Sequence, residues 1–207
     1  FSMSDLSSAQ LILERIMSIP GISKNDLAEC KLVYADVMLL SGNVWTSLLY
    51  YSQVEKEHKE SPIGHEAKLR RAKISYYQGD FNWAQSQLDV LKSSTSKLIS
   101  NDAMDLSLLI TDNLNLDTTS VPMEIYARAD LLYYQNKFEE SIITLDSICD
   151  LYSGHALIDE IYFRKYQIYN KIGEIDKGIE MLELIVSDYS YDILNDDALF
   201  NLAQIYE

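Results

Sequence analysis

The sequence predicts an all-α chain built as an array of stacked helix-turn-helix units, about eleven helices in all. Three observations carry this. One pattern recurs: a small residue, a turn residue seven positions on, an apolar residue two further, and a small residue three after that. Its clearest copy is Ala72/Gly79/Phe81/Ala84; the others are Ala35/Gly42/Val44/Ser47, Ala129/Asn136/Phe138/Ser141 and Tyr166/Gly173/Ile175/Gly178, with a half copy at Ala203 and Tyr206. The turn positions share a recurring interval: 42 to 79 and 136 to 173 are each 37 residues, while 79 to 136 is a longer 57. A period of this length signals supersecondary units that share a core with their neighbours. Breakers are scarce, with 7 Gly and 3 Pro in 207 residues against 47% hydrophobic residues, and no useful stretch alternates in the β manner.

The elements are justified in chain order. A lone helix over about 5–18 ends before Ile19-Pro20-Gly21, so 1–22 reads as the second (B) helix of a preceding repeat. Helices over about 26–41 and 43–58 form the pair 25–58, with Asn25 or Asp26 as N-cap. Ser61 caps the next pair, 62–97, and Pro62 sits in its first turn, where the missing N–H costs nothing. Gly79 closes the A helix of that pair with a left-handed residue, and Asp80 opens the B helix as its cap. The long interval leaves room for one inserted helix, capped by Asn101 and running over about 102–114 within 101–115; Leu106, Leu109, Ile110 and Leu114 lie on one side of it. Residues 115–121 read as a polar loop. The pairs 122–152 and 158–188 come next, and Asn195 caps a final helix, 195–207, the first of a further repeat. No Gly/Ser/Pro-rich linker divides 1–207, which reads as a single array and, opening on a lone B helix and stopping mid-pattern, as a fragment of a longer one.

Apolar spacing explains why such pairs stack. Phe81, Ala84, Leu88 and Leu91 fall on one face of a helix, as do Ile175, Ile179, Leu182 and Ile185. The small residues Ala72 and Ala129 allow close approach at the crossing of A and B helices. Tyr166 replaces the small residue in the fourth copy, so that pair is expected to sit further apart. Asn136 replaces the turn glycine, a residue that enters the left-handed region more readily than most.

These positions resemble the tetratricopeptide repeat family, which has a small residue where helix A crosses helix B, a glycine at the turn, an aromatic just after it and small residues on helix B. Ala72, Tyr76, Gly79, Phe81 and Ala84 match it best, and the likeness covers nearly the whole chain. Residues 79–110 are also similar to long bacterial proteins built of such arrays. The resemblance implies a right-handed α-α superhelix whose concave groove, lined by A helices, holds a protein or peptide partner. Its ligand-facing positions fall on Asp36 and Leu39, on Leu69, Lys73, Tyr76 and Tyr77, on Tyr126, Asp130, Tyr133 and Tyr134, and on Phe163, Gln167, Asn170 and Lys171. Adjacent helical residues point about 100° apart, so one tyrosine of each doublet, 76–77 and 133–134, is expected in the core and one in the groove. Repeats that clamp a carboxylate terminus use basic and Asn residues one step after the crossing residue. Here those positions are Asp36, Lys73, Asp130 and Gln167, and the two acids favour a basic or neutral-polar partner with apolar anchors.

Composition narrows the function further. Thirty-two acidic against 17 basic residues give a net charge of −15, which disfavours phosphate backbones and anionic membrane surfaces. No apolar run is long enough to span a membrane, and residues 1–5 lack the marks of a signal peptide. The compartment, cytoplasm or periplasm, stays open. Cys30 and Cys149 lie in separate repeats and suggest neither a redox pair nor a disulfide framework. His58, His65 and His155 form no metal-ligand spacing, and no phosphate loop or nucleophile elbow is present, so neither catalytic residues, a metal nor a cofactor is expected. The expected function is that of a non-enzymatic interaction scaffold. The alternative is a structural spacer in a longer array, or a self-associating one whose terminal faces include Leu199, Leu202 and Tyr206.

Overall fold

A computed structural model of the protein describes residues 3–94, 96–114 and 119–207, Met3 and Ser4 by backbone alone. These residues form eleven helices and no strand: α1 (Met3–Met17), α2 (Lys24–Leu40), α3 (Val44–Glu57), α4 (Pro62–Tyr77), α5 (Phe81–Leu91), α6 (Lys97–Leu114), α7 (Val121–Tyr134), α8 (Phe138–Leu151), α9 (Ile158–Ile172), α10 (Ile175–Asp188) and α11 (Leu194–Tyr206). Neighbouring helices pack in succession from α1 to α6 and again from α8 to α11, as stacked helical repeats require. Of the expected loop at 115–121, residues 115–118 lie outside the described residues, and Val121 already belongs to α7.

The four A-to-B turns share one geometry. Gly42, Gly79, Asn136 and Gly173 have φ of 84°, 78°, 59° and 81°, the left-handed conformation expected of them. The residues after them, Asn43, Asp80, Lys137 and Glu174, hold φ between −85° and −90° and ψ between 63° and 67°. Each donates its backbone N–H five residues back, to Met38, Ser75, Leu132 and Tyr169 respectively, at 2.7–2.9 Å. This is the bond that satisfies an orphan carbonyl at a helix end closed by a left-handed residue. It needs no particular side chain at its donor, so Asn, Asp, Lys and Glu all serve. Only Asp80 adds a side-chain cap, accepting from Trp83 N–H at 3.3 Å.

Three caps differ from expectation. Ser23, not Asn25 or Asp26, caps α2 and accepts the Asp26 N–H at 3.1 Å; its hydroxyl lies three residues before that donor, the reach an N-cap needs. Asn101 and Asn195 are interior to their helices, because α6 starts at Lys97 and α11 at Leu194. Ser61 and Pro62 stand as expected, with Ser61 accepting the Gly64 N–H at 3.3 Å.

The B helices α3, α8 and α10 are each 14 residues long and end on His58, Tyr152 and Tyr189, with φ of −129°, −138° and −124°. The B helix α5 is different. It stops after 11 residues, short of the expected 97, and the residue that follows it, Lys92, keeps a helical φ of −56°. The chain thus turns early into α6, at the start of the 57-residue interval.

The chain forms two compact units. Unit 1 comprises Phe1–Asn115 with Tyr134–Asn136, and unit 2 comprises Leu116–Tyr133 with Lys137–Glu207. In unit 1, α6 packs on α5 and α4; in unit 2, α11 packs on α10 and α9. The inward row of α6 is Ile99/Ala103/Ser107/Ile110, and that of α11 is Leu194/Ala198/Leu202/Ile205, with Ala103 and Ala198 fully buried. The helix expected as an insertion therefore closes unit 1 as α11 closes unit 2. The two pairs of unit 1 recur in unit 2 at an offset of 94 residues, from Gly42 to Asn136 and from Gly79 to Gly173.

The core lies between A and B rows. Tyr51/Val54, Leu88/Leu91, Leu145/Ile148 and Leu182/Ile185 occupy equivalent B positions and are at most 1% exposed. The crossing residues Ala35, Ala72 and Ala129 are fully buried. Ser141 uses its crossing position to donate to the Ala129 carbonyl at 2.8 Å. At the fourth crossing the sizes are exchanged: Tyr166 faces Gly178, where a Cβ would lie 3.4 Å from Tyr166 Cδ2. The ring occupies the space that a second side chain takes in the other copies, which relieves the wide separation expected from Tyr166 alone.

Candidate functional site

In unit 1 the A helices α2 and α4, with α3 behind them, enclose an open cavity of about 330 Å³ lined by Asp36, Leu39, Tyr51, Glu66, Arg70, Lys73, Tyr77 and Tyr134. Helical spacing puts the α4 residues on one side. Glu66, Arg70, Lys73 and Tyr77 fall at steps of four, three and four, a single stripe that faces α2.

An ion-pair network shapes the floor. Arg70 Nη1 donates to Asp36 Oδ2 at 2.5 Å, and its Nε to Glu66 Oε1 at 2.9 Å. Tyr51 Oη donates to the other Asp36 oxygen. Burial works against the charge on Arg70, but the carboxylates of Asp36 and Glu66 outweigh it and hold its pKa above the usual value. Burial, then the Asp36 carboxylate, pushes the Tyr51 phenol well above its ordinary range, so it stays a donor. Lys73, at the rim, pairs with Asp102 of α6 at 3.1 Å. Tyr134, grouped with this unit, lies with its hydroxyl 3.4 Å from Asp36 Oδ1. Tyr76 and Tyr77 divide as expected: Tyr76 is 1% exposed and stacks near Phe81 at 6.0 Å, while Tyr77 is half-buried and lines the cavity. Leu69 is buried and offers no surface.

Unit 2 repeats the clamp. Arg164 of α9 reaches Asp130 of α7 at 2.7 Å, and the residues stand 94 positions on from Arg70 and Asp36. Asp130 is more enclosed than Asp36, at 8% against 26% side-chain exposure. Tyr126 is buried, donates to the Glu160 carbonyl at 3.3 Å, and is held protonated by burial and by the nearby Asp130 charge. Tyr133 is half-buried beneath two cations, Arg164 at 4.8 Å and Lys171 at 4.4 Å from its ring centre. Such stacking on a partly exposed ring contributes on the order of 0.5–1 kcal/mol. Gln167 accepts from Arg164, and Phe163 packs beside Tyr166 at 5.7 Å. Asn170 and Lys171 are exposed. The doublet 133–134 thus departs from the buried-plus-exposed division, since both rings are half-buried.

The acids expected to meet a partner are accordingly engaged within the protein. Asp36 and Asp130 each bind an arginine 34 residues on, linking one A helix to the next. Sequence reading missed Arg70 and Arg164. The signal was present: in the second and fourth copies an arginine stands two residues before the crossing position, and in the first and third an aspartate stands one after it.

No group of three His, Cys, Asp or Glu residues among the described residues could hold a metal, and Cys30 and Cys149 are half-buried thiols. No helix among the described residues is long and apolar enough to cross a membrane. No protein-family model and no curated protein matches the chain.

Proposed function

We propose that the protein is a non-enzymatic interaction scaffold of the tetratricopeptide kind, which holds an extended or helical segment of a protein partner against its A helices. The observation that supports this most is the unit 1 cavity, whose volume suits one or two side chains and whose lining combines an aromatic edge, Tyr77, with a fixed polar floor. Tyrosine presents a large rigid surface with one polar tip and is favoured at binding hot spots. The floor is balanced, with Arg70 and Lys73 against Asp36 and Glu66, so it suits an apolar or aromatic anchor better than a charged one. The net charge of −15 draws in basic residues flanking that anchor and speeds encounter.

The test is selection of peptides from a random display library, followed by calorimetric titration of a selected peptide. Selected sequences should share an apolar anchor with basic neighbours, and Tyr77→Ala should weaken binding by about tenfold or more. Failure to enrich any sequence, or binding indifferent to both Tyr77→Ala and Lys73→Ala, would exclude this cavity as the site.

A further inference from the structure

We propose, resting on the scaffold reading of the unit 1 cavity, that Tyr134 and Gln135 are its resident ligand. A partner enters by replacing them with a tyrosine and a neighbouring N–H donor of its own. Tyr134–Asn136 group with unit 1, although they lie far along the chain from α2 and α4. Tyr134 brings its ring to 6.4 Å from that of Tyr77. Its hydroxyl donates to Asp36 Oδ1 at 3.4 Å. Burial, then the Asp36 carboxylate, holds this phenol above its ordinary pKa range, so the proton stays. Gln135 Nε2 donates to the Leu39 carbonyl at 3.0 Å. One short segment thus presents an aromatic ring and two donors to the A helices, as a bound peptide does.

Both acceptors are satisfied without this segment. Asp36 already holds Tyr51 on Oδ1 and Arg70 on Oδ2, and the Leu39 carbonyl takes the Gly42 N–H at 3.1 Å. Tyr134 and Gln135 use the remaining lone pairs, so their departure strands no buried acceptor. Those lone pairs are what the cavity offers a visitor. They accept, so they select a hydroxyl or an N–H and reject a carboxylate. The resident contact is also light. The hydroxyl bond is long for its kind, and the two rings stand near the far end of the range for aromatic pairs. Tyr134 lines the cavity but leaves about 330 Å³ open, so a second ring can approach before the first has left. Nor does the shared turn require this pair, since Leu40-Ser41 takes its place in the first copy and Lys171-Ile172 in the fourth. In the first copy Ser41 turns back to its own helix and donates to the Val37 carbonyl at 2.7 Å.

The test is nuclear magnetic resonance titration of the 207-residue chain with N-acetyl-tyrosinamide, and with N-acetyl-phenylalaninamide as the control probe. Both probes are neutral, so the net charge of −15 does not act on them. One variant is Tyr134→Ala. The second, Gln135→Met, removes the donor at similar length and unchanged charge. Both are checked for helical content. Tyr134→Ala should bind the tyrosine probe at least about tenfold more tightly than the parent does, and Gln135→Met severalfold more tightly, because each frees the site of its resident. The amide signals of Leu39 and Tyr77 should shift, and the phenylalanine probe should bind severalfold more weakly than the tyrosine probe. No binding by either variant, equal binding by parent and variants, weaker binding by Tyr134→Ala, or indifference to the hydroxyl would each overturn the proposal. The peptide library separates the two readings. Selected peptides that bind parent and Tyr134→Ala alike would remove the resident ligand and leave the scaffold standing. Probe binding as expected, with no peptide enriched, would support the resident ligand and remove the scaffold.

Discussion

Gly173 and Gly178 stand five residues apart, and replacing each by alanine should change stability in opposite directions. Gly173 holds φ at 81°, and a Cβ there would meet no atom within 4 Å. Its cost is therefore conformational alone. An L-residue in the left-handed region costs about 1–2 kcal/mol, and alanine returns about 0.4–1 kcal/mol by restricting the unfolded chain, which leaves between about 0 and 1.6 kcal/mol of destabilisation and no net gain. Gly178 lies inside α10 with no such φ, and its Cβ would sit at 3.4 Å from Tyr166 Cδ2, an ordinary contact. There alanine gains up to about 1 kcal/mol of helix propensity, while leucine would overpack the crossing by about 1–3 kcal/mol. Urea unfolding followed by far-ultraviolet circular dichroism resolves differences of this size when the slopes are equal. If both alanine variants were stabilising, residue 173 would not be left-handed and the shared turn would be lost. If Gly178→Ala were strongly destabilising, Tyr166 would press closer on α10 than described.

The clamps and the tyrosines lead to further expected outcomes. Arg164→Ala should cost about 2–4 kcal/mol and Arg70→Ala less, about 1–2 kcal/mol, because Asp130 is the more enclosed acid and loses its arginine in a drier place; equal small losses in urea unfolding would contradict the clamp. Tyr76→Ala should destabilise by about 3–5 kcal/mol, as for other large aromatics deleted from a core, whereas Tyr77→Ala should leave the unfolding midpoint nearly unchanged and lower peptide affinity. Tyr34 donates to Glu14 Oε1 at 2.9 Å, and burial together with this bond raises its pKa from 10.0 to about 12. The raised value means the folded state holds the proton more tightly, so Tyr34 contributes stability that is complete below pH 10 and lost as pH rises towards about 12. Ultraviolet difference titration of the parent against Tyr34→Phe should show this late-ionising phenol, and a step near the ordinary value would remove the bond.

Much of the fold was legible because the left-handed turn leaves a mark in sequence. Only glycine or asparagine sits comfortably there, so positions 42, 79, 136 and 173 announce themselves, and with them the helices on either side. The end of a B helix carries no such mark. The early end of α5 at Leu91 is marked by no glycine or proline, only by the Ser/Thr run that follows Lys92. Asn101 and Asn195 resemble caps in sequence, yet α6 starts four residues before the first and α11 one residue before the second. The A-helix positions of the candidate site were legible as positions, but their partners were not. Whether Asp36 meets solvent or Arg70 depends on the spacing of successive A helices, which a residue-by-residue reading of one copy does not contain. The exchange of sizes between Tyr166 and Gly178 was hidden for the same reason, since each residue alone departs from its pattern.

The most direct test of the repeat geometry is amide hydrogen exchange, measured residue by residue by nuclear magnetic resonance, at Asn43, Asp80, Lys137 and Glu174. Each lies at a surface turn, and each donates its N–H to the carbonyl five residues back. All four should exchange much more slowly than an open turn amide, irrespective of side chain. Exchange at open-chain rates at these four positions would show that the copies do not share one turn, and that the chain is not the array described.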